Sequence, residues 1–565
     1  MTDARHGGPS RPLIDQGMSV DIPQRTKLEI LFAILLGLFL GALDQTIVGT
    51  ALPRIITDLR GNELYTWSIT IYLLTSTISG PFYGKLSDLY GRKPLLMFGI
   101  GLFLLGSALS GLSQDMAQFV AFRGLQGLGA GALFPIALAV IGDLFTPAER
   151  GKYQGLFGAV FGLSSIIGPA LGGFLTDAIS WHWIFYVNIP IGLVSLYIIW
   201  RLLPTVRRPD IRHRLDYLGA AVFTLAIGSL LVGLTNKQTG EWTDPAVGGL
   251  IAIGLALGVV FLAIEARAAE PIVPLELFRI RTYSATILAT FFSAFGFFGA
   301  VIFLPRYFQF VRGASATESG YQTIALLGGL ILGAMGAGQI VARTGRYRLL
   351  TIGSLALATV GLLLLTQLRA ETPLPVLWLW MFIAGLGIGP SFSVLTIVVQ
   401  NVVPFDRLGT ATSNLTFFRQ IGGTVGLTIV GTVFSSRFSA EIPEQLVRAG
   451  VPRAMVEQFA ARGTSGTSEI VGVGQDLGAQ ILASVPAQFR ALVEPLVPNI
   501  VAGIHEAFSV AIGGSLLVGV AAMLVALGAA VLVQDIPLRE HAGPEPETGT
   551  EGGTARRFAN VPIVE

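Results

Sequence analysis

Apolar residues follow one another along this chain in runs of about 20, and short polar segments separate the runs. A helix rises about 1.5 Å per residue, so about 20 residues cross about 30 Å of hydrocarbon. Each run therefore predicts one membrane-spanning helix. Fourteen are expected, near residues 28–52, 65–83, 95–113, 117–142, 154–176, 183–203, 215–235, 246–266, 284–310, 319–342, 348–368, 374–402, 409–434 and 506–534.

The composition agrees with an all-α polytopic membrane protein. Of the 565 residues, 52% are hydrophobic and 13% are charged, whereas an ordinary soluble domain is about 25% charged. The chain has no cysteine, which excludes disulfides, thiolate metal sites and cysteine nucleophiles. It also lacks the P-loop, HExxH and GxSxG patterns. We therefore expect no enzyme, no cofactor, no metal and no nucleic-acid partner. A monomer is expected, although these residues do not determine the oligomeric state.

The polar segments predict which side of the membrane each loop occupies. Loops after even-numbered spans hold most of the basic residues, for example Lys85, Arg92, Lys93, Arg150 and Lys152. The positive-inside rule then places these loops and both termini in the cytoplasm, with the chain in the cytoplasmic (inner) membrane. Residues 1–27 form a cytoplasmic tail, 435–505 a long external loop with amphipathic stretches, and 535–565 a disordered cytoplasmic tail.

An internal repeat organises the chain. The segment "GKLSDLYGRKPLL" at Gly84 matches "GQIVARTGRYRLL" at Gly338, and "GLGAG" at Gly127 matches "GLGIG" at Gly385. Both pairs lie on the same predicted side, which indicates parallel repeats related by an axis along the membrane normal. We expect a six-helix bundle over 28–203, an inserted helix pair over 215–266 and a second six-helix bundle over 284–534.

The loop between the second and third spans carries a possible latch. Gly84 permits a close helix approach, Gly91 permits a tight turn at positive φ, and Asp88 can pair with Arg92. Such a charge pair can hold one conformation and release it in another. The alternative is a basic loop that only sets topology. In the second copy Ala342 replaces Asp88, so a latch is expected on one side only.

Asp44 lies inside the first apolar run, in "LFLGALDQTIVGTALPRI". A carboxylate in mid-membrane costs roughly 2.5–3.5 kcal/mol on insertion scales and usually serves a function. Low dielectric disfavours the charged form, so this group can take up a proton on one side and release it on the other. A structural ion pair with Arg123 is the alternative, and the two are compatible. Arg123 itself could instead extend to the membrane surface.

The fifth and thirteenth spans carry further candidates. A glycine face and a helix-kinking proline occupy the fifth span at Gly158, Gly162, Gly168, Pro169, Gly172 and Gly173. By themselves these residues favour helix packing. In the thirteenth span, "SNLTFFRQIGG" places Asn414, Phe418 and Arg419 in the membrane, with the first two on one helix face. We expect them to line a substrate cavity, together with Gln126 of the fourth span.

The repeat and these motifs resemble the major facilitator superfamily, in particular its 14-helix multidrug:proton antiporter branch, over about residues 28 to 534. Its loop pattern Gly-x-Leu-x-Asp-x-x-Gly-Arg-Arg/Lys is filled by Gly84, Leu86, Asp88, Gly91, Arg92 and Lys93. The resemblance implies the major facilitator fold and a cytoplasmic gate at this loop that Asp143 joins.

The resemblance also implies roles inside the membrane. Asp44 matches the branch's first-span motif and Arg123 its fourth-span arginine, both implicated in proton coupling. The antiporter pattern Gly-x-x-x-Gly-Pro-x-x-Gly-Gly is met by Gly168, Pro169, Gly172 and Gly173, while Ser164 replaces its leading glycine. This pattern is associated with export and not with sugar or peptide import.

The expected function is proton-coupled antiport that exports amphipathic, cationic organic compounds by alternating access. Two alternatives stay open. One is export of a single dedicated substrate, such as a lipid, a siderophore or a self-made antibiotic, because spans nine to twelve contain no carboxylate to pair with a dication. The other is a membrane receptor or scaffold that binds a partner through 435–505, which would need neither Asp44 nor the loop motif.

Overall fold

The computed structural model describes residues 23–59, 64–145, 147–204, 216–237, 240–268, 271–404, 407–453, 455–457, 477–484 and 490–538. All regular elements of these residues are helical. The first part of the chain forms α1 (Gln24–Leu59), α2 (Tyr65–Tyr90), α3 (Arg92–Ser110), α4 (Met116–Leu144), α5 (Pro147–Ala178), α6 (Trp183–Tyr186) and α7 (Asn188–Leu202).

The next two helices, α8 (Tyr217–Asn236) and α9 (Leu250–Glu265), are joined through a π-helical turn at Pro245–Gly249. A 3-10 turn at Leu275–Arg279 leads into the last group. This group comprises α10 (Arg281–Phe310), α11 (Ala316–Gln322), α12 (Ile324–Thr344), α13 (Arg348–Leu365), α14 (Leu374–Val402), α15 (Leu408–Arg448), α16 (Leu477–Ser484), α17 (Arg490–Val493) and α18 (Val497–Val531), with a 3-10 turn at Glu494–Leu496 before α18.

The helices are long and apolar enough to span a bilayer. Twelve helical stretches of the described residues satisfy that requirement. Helices α2 and α5, which cover the second and fifth predicted spans, are not among the twelve. The polytopic all-α class is confirmed, whereas the count of fourteen spans stays a prediction. Large apolar side chains such as Phe174, Tyr197 and Val259 point outward with more than half of their surface exposed, as lipid contact requires.

Several helices extend beyond the sequence-based boundaries, and α1, α15 and α18 extend into a predicted tail or loop. Helix α1 begins at Gln24, inside the predicted tail. Helix α15 continues to Arg448, well past the predicted end of its span at residue 434, so the first part of the predicted external loop is helical. An ion pair one turn apart, Arg448 Nη2 to Glu444 Oε1 at 2.5 Å, stabilises this polar extension. Residues 454, 458–476 and 485–489 of the predicted loop and most of both tails lie outside the described residues.

The packing of the helices repeats. In the first part α4 contacts α2 and α3, and α1 contacts α5 and α7. In the last part α14 contacts α12 and α13, and α10 contacts α15 and α18. The same arrangement therefore occurs twice, in the order that the sequence repeat predicts. Between the two groups, α2 contacts α15 and α5 contacts α12. Helix α8 packs on α9, α2 and α15. The exact division into three units stays a prediction.

Candidate functional site

A fully buried ion pair lies in the middle of the first helix group. Asp44 of α1 is 0% exposed, and its Oδ2 accepts a hydrogen bond from Arg123 Nη1 of α4 at 2.5 Å. Arg123 is 2% exposed. It therefore does not reach the membrane surface, and the ion pair that the sequence offered as an alternative is present. A proton-coupling role for both residues stays a prediction.

Neutral groups complete the surroundings of this carboxylate. Gln126 bridges the pair, since its Nε2 donates to Asp44 Oδ1 at 2.8 Å and its Oε1 accepts from Arg123 Nη1 at 2.7 Å. Asn188 Nδ2 lies 3.5 Å from Asp44 Oδ1 and 3.1 Å from Ser107 Oγ. Buried charges are tolerated only when pairing and hydrogen bonds replace water. Here both oxygens of Asp44 are occupied.

Sequence reasoning missed part of this network. Asn188 begins α7 and Ser107 lies on α3, so four helices converge on the ion pair. Tyr72 of α2 adds its ring, whose centroid is 4.4 Å from the Arg123 guanidinium carbon. A signal existed for Asn188, which is an isolated amide in the apolar run "IFYVNIPIG". Ser107 and Tyr72 carry no comparable signal, because such residues are common in membrane helices.

Asp88 connects the two helix groups at the end of the bundle where α2 ends, here called the Asp88 end. Its Oδ1 accepts from the backbone N–H of Gly409 at 3.0 Å, and its Oδ2 accepts from the backbone N–H of Thr410 at 2.6 Å and from Thr410 Oγ1 at 2.7 Å. These donors form the start of α15, where the helix dipole favours a negative charge. Asp88 therefore caps a helix of the opposite group.

Arg92 holds this cap in place. Its Nη1 donates to Asp88 Oδ1 at 2.5 Å, and its Nε donates to Asp143 Oδ2 of α4 at 3.0 Å. The structure thus brings Asp143 into the network. Gly91 makes the turn between α2 and α3 at a φ of 94°, in the region that favours glycine. Lys93 lies apart and donates to the Trp200 carbonyl oxygen at 2.7 Å.

Glycines set the distance between α2 and α15 at the Asp88 end. A Cβ atom at Gly84 would overlap Ser413, and a Cβ atom at Gly409 would overlap Asp88 and Arg92. Neither position leaves room for a side chain. The capping contact depends on this close approach of the helix backbones.

The glycines of α5 face different neighbours. Gly168 and Gly172 lie against α1, where a Cβ atom at Gly172 would come within 2.8 Å of the Ile47 carbonyl oxygen. Gly162 faces Ile331 of α12 at 3.0 Å, and Gly173 has nothing within 4 Å. Pro169 lies within the continuous helix, and Gly158 lies on the same helix. The predicted motif thus separates into a face toward α1 and a position toward the second helix group.

A small cleft opens between α1, α2, α4 and α15. Gln45, Tyr72, Ser76, Thr416 and Gln420 are among its polar lining, and Phe417 is among its apolar lining. None of the described residues that line it carries a charge. The position of the cleft beside Tyr72, whose ring stacks on Arg123, places it next to the buried ion pair.

The four predicted cavity residues lie elsewhere among the described residues. Gln126 bonds to Asp44 and Arg123, as above. Asn414 is fully buried. Phe418 packs on Phe278, with ring centroids 5.9 Å apart. Arg419 turns toward α14. Their assignment to a substrate cavity stays a prediction.

The second copy of the loop motif is held differently. The chain after α18 crosses the Asp88 end, where Asp535 Oδ1 accepts from the backbone N–H of Tyr347 at 3.1 Å and of Arg348 at 2.9 Å. The backbone N–H of Ile536 donates to the Tyr347 hydroxyl at 2.9 Å, and Asn401 Nδ2 donates to the Ile536 carbonyl oxygen at 3.3 Å. Where Ala342 replaces the aspartate, residues 533–538 thus make the polar contacts.

The structure contains two similar groups of apolar helices, a buried ion pair inside one group and a polar contact between the groups. This architecture is that of a multi-pass membrane transporter. The comparison with known families specifies this class. Residues 34–427 match the model of the Major Facilitator Superfamily, and the chain belongs to this family of transporters.

Relatives agree with that assignment. The chain is 37% identical over 500 residues to the multidrug transporter protein MdtP of Bacillus subtilis (strain 168), covering 87% of this chain and 91% of the relative. It is 38% identical over 417 residues to multidrug resistance protein 3 of the same organism, covering 73% and 80%. Among solved structures, the proton:xylose symporter XylE has a similar fold, with a TM-score of 0.54. The sequence identity to XylE is 15%, and the alignment covers 89% of this chain and 95% of XylE.

Proposed function

We propose that this chain is a proton-coupled antiporter that exports amphipathic organic compounds across the cytoplasmic membrane by alternating access. The observation that carries the proposal is the Asp44–Arg123 ion pair. It places a carboxylate with no exposed surface inside a transporter fold. Intramembrane ionisable residues of this kind usually belong to substrate or proton pathways.

The proton acts through the pairing of Asp44. In the ionised state the carboxylate accepts from Arg123, Gln126 and Asn188. Protonation removes its charge and leaves the Arg123 guanidinium without a counter-ion. A buried charge that loses its partner is strongly destabilising. The protonated chain therefore favours another arrangement of α1 and α4, in which the proton can be released on the other side.

The Asp88 end faces the cytoplasm in this proposal, since the basic loops lie there. The cap that Asp88 makes on α15 then closes the inner side of the transporter. Opening requires α2 and α15 to separate, which exposes the Asp88 carboxylate and the first N–H groups of α15 to water. A contact that is satisfied in one state and solvated in the other can serve as a gate.

The range of substrates is proposed from relatives. Two of them are named multidrug proteins, which supports broad specificity for amphipathic compounds, including the cations that the sequence predicts. A third, the acurin A biosynthesis cluster MFS-type transporter of Aspergillus aculeatus, is 35% identical over 422 residues, covering 73% of this chain and 76% of the relative. Its name favours the alternative of one dedicated substrate.

Everted membrane vesicles test the proposal. An imposed proton gradient should drive uptake of ethidium or of pyrenebutyrate, which represent an amphipathic cation and an amphipathic acid. A protonophore and the substitution Asp44→Asn should each abolish uptake. Asp177→Asn is the matched control, because Asp177 is an exposed aspartate at the end of α5. Uptake that survives in Asp44→Asn would refute the role of Asp44, and no uptake of either probe by a well-expressed chain would favour the dedicated substrate.

A further inference from the structure

Arg419 is a buried guanidinium on α15 in the second helix group. It is 8% exposed, and its Nη2 donates to the Ser391 carbonyl oxygen of α14 at 3.3 Å. Its guanidinium carbon lies 4.5 Å from the centroid of the Phe392 ring. Guanidinium has five N–H donors, and this is the single hydrogen bond recorded for Arg419 within the described residues. None of the ion pairs recorded for those residues includes it.

The charges in the middle of the bundle do not balance. Asp44 and Arg123 neutralise each other, so Arg419 leaves one positive charge among the buried side chains described there. The other buried charged residues, Asp143 and Glu265, lie at the Asp88 end. A buried cation without an anion is unfavourable and favours the uptake of an acidic group. Arginine suits this because its planar fork binds a carboxylate with two hydrogen bonds.

The surroundings of Arg419 match an amphipathic molecule. Phe392 packs on Phe297 of α10 with ring centroids 5.1 Å apart, which gives an aromatic surface beside the charge. Thr416, which lines the cleft between the two groups, lies about one turn before Arg419 on the same helix and is therefore its neighbour on the helix surface. When α15 moves away from its neighbours in the transport cycle, a flat apolar body can lie along these rings while its charged end reaches the guanidinium.

We propose that Arg419 binds the acidic group, such as a carboxylate or sulfonate, of an amphipathic substrate of this transporter. The inference rests on the proposed export function and narrows its substrate class. It differs from the cationic class predicted from the sequence, because both oxygens of Asp44 are already occupied by Arg123, Gln126 and Asn188. The acid site and the proton site lie on helices of opposite groups.

The two substrate classes respond in opposite ways to loss of the Asp44 charge. Protonated Asp44, or Asp44→Asn, raises the sum of the buried charges in mid-bundle from one to two positive charges. An acidic ligand is then held as well as before or more tightly, whereas a cation is held less tightly. Binding without a gradient therefore separates the substrate class from proton coupling.

The test measures binding of pyrenebutyrate and of its uncharged methyl ester to the purified full-length chain in a neutral detergent, by fluorescence anisotropy. The acid should bind at least about tenfold more tightly than the ester, as one hydrogen-bonded ion pair is worth at least about a factor of ten. Arg419→Gln should remove this difference, and Arg419→Lys should keep part of it. Asp44→Asn should not weaken binding of the acid.

Arg437→Gln is the matched control, because Arg437 is an exposed arginine on the same helix. Thermal unfolding in detergent establishes that each variant is folded. If Arg419→Gln does not fold, Arg419→Lys takes its place as the test variant. Equal affinities for acid and ester, or an unchanged preference in a folded Arg419 variant, would overturn the proposal even if Asp44-dependent uptake is observed. Displacement of the acid by phosphatidylglycerol would overturn it as well, since the acidic group would then come from a lipid.

Discussion

Replacing Asp88 by asparagine tests whether the contact at the Asp88 end holds α2 against α15. In the structure the carboxylate accepts two backbone N–H groups and one hydroxyl of α15, and Arg92 donates to it as well. An asparagine keeps one acceptor oxygen, but its amide NH₂ group then faces donors. The substitution therefore removes the negative charge at the helix start and at least one of the hydrogen bonds.

The magnitude follows from these contacts. A hydrogen bond to a charged group contributes about 1.5–3 kcal/mol, and a charge at a helix N-terminus contributes about 0.3–1 kcal/mol. Asp88→Asn should therefore weaken the closed contact by about 3 kcal/mol. Since 1.4 kcal/mol corresponds to a factor of ten, the ratio of open to closed chains should rise by about 100-fold.

The absence of native cysteine makes the assay direct. Thr416→Cys introduces one thiol into the cleft, about two helical turns beyond Gly409. Thr416 is 6% exposed, so maleimide labelling should be slow in the parent and much faster with Asp88→Asn. Glu276→Gln is the control, since its ion pair with Arg407 at 2.9 Å is exposed and such pairs contribute little. Equal labelling rates in folded Asp88→Asn and parent chains would refute the reasoning.

Three further substitutions test separate parts of the structure. Gly172→Ala should lower the melting temperature in detergent because its Cβ would press on α1. Gly173→Ala, with nothing within 4 Å, should leave the melting temperature unchanged or raise it, since alanine favours a helix more than glycine does; equal effects would contradict the packing. Asp535→Ala should destabilise the chain by about 1–3 kcal/mol by removing an acceptor shared by two N–H groups, measured against Gln534→Ala in the same melting assay. Burial lowers the pKa of His182 from 6.5, with Asp58 acting in the opposite direction. The unfolded chain therefore binds the proton more tightly, so stability should fall as the pH drops through about 6.5, and His182→Gln should reduce that slope in melts between pH 5 and pH 8.

The sequence predicted the positions of most helices because a bilayer imposes both the length and the apolar character of a spanning segment. It did not predict that α15 continues to Arg448. A hydropathy window measures suitability for the membrane, whereas a helix can continue into water when its backbone hydrogen bonds and its charged pairs one turn apart support it. The end of a span and the end of a helix are different properties.

Local spacing also predicted several partners in the candidate site. Asp88 and Arg92 lie only four residues apart, on either side of the turn at Gly91, so the sequence already indicated that the two charges could pair. The sequence further identified Asp44 and Arg123 as unusual, because charged residues within apolar runs are rare. Their pairing was one of two compatible alternatives, and the observed 2.5 Å separation is a property of the folded chain.

The tertiary structure alone decided which distant groups meet. Asp88 caps a helix that begins 320 residues later, Asn188 reaches Asp44, and Asp535 closes the second loop copy. These partners are ordinary backbone groups, amides and a carboxylate near the end of the chain, and nothing in their local sequence marks them. By itself, the sequence determined which segments enter the membrane and which charges need partners there, since the cost of burying a charge depends on the residue and its depth. The supply of partners depends on which helix faces pack together, and only the folded chain fixes that.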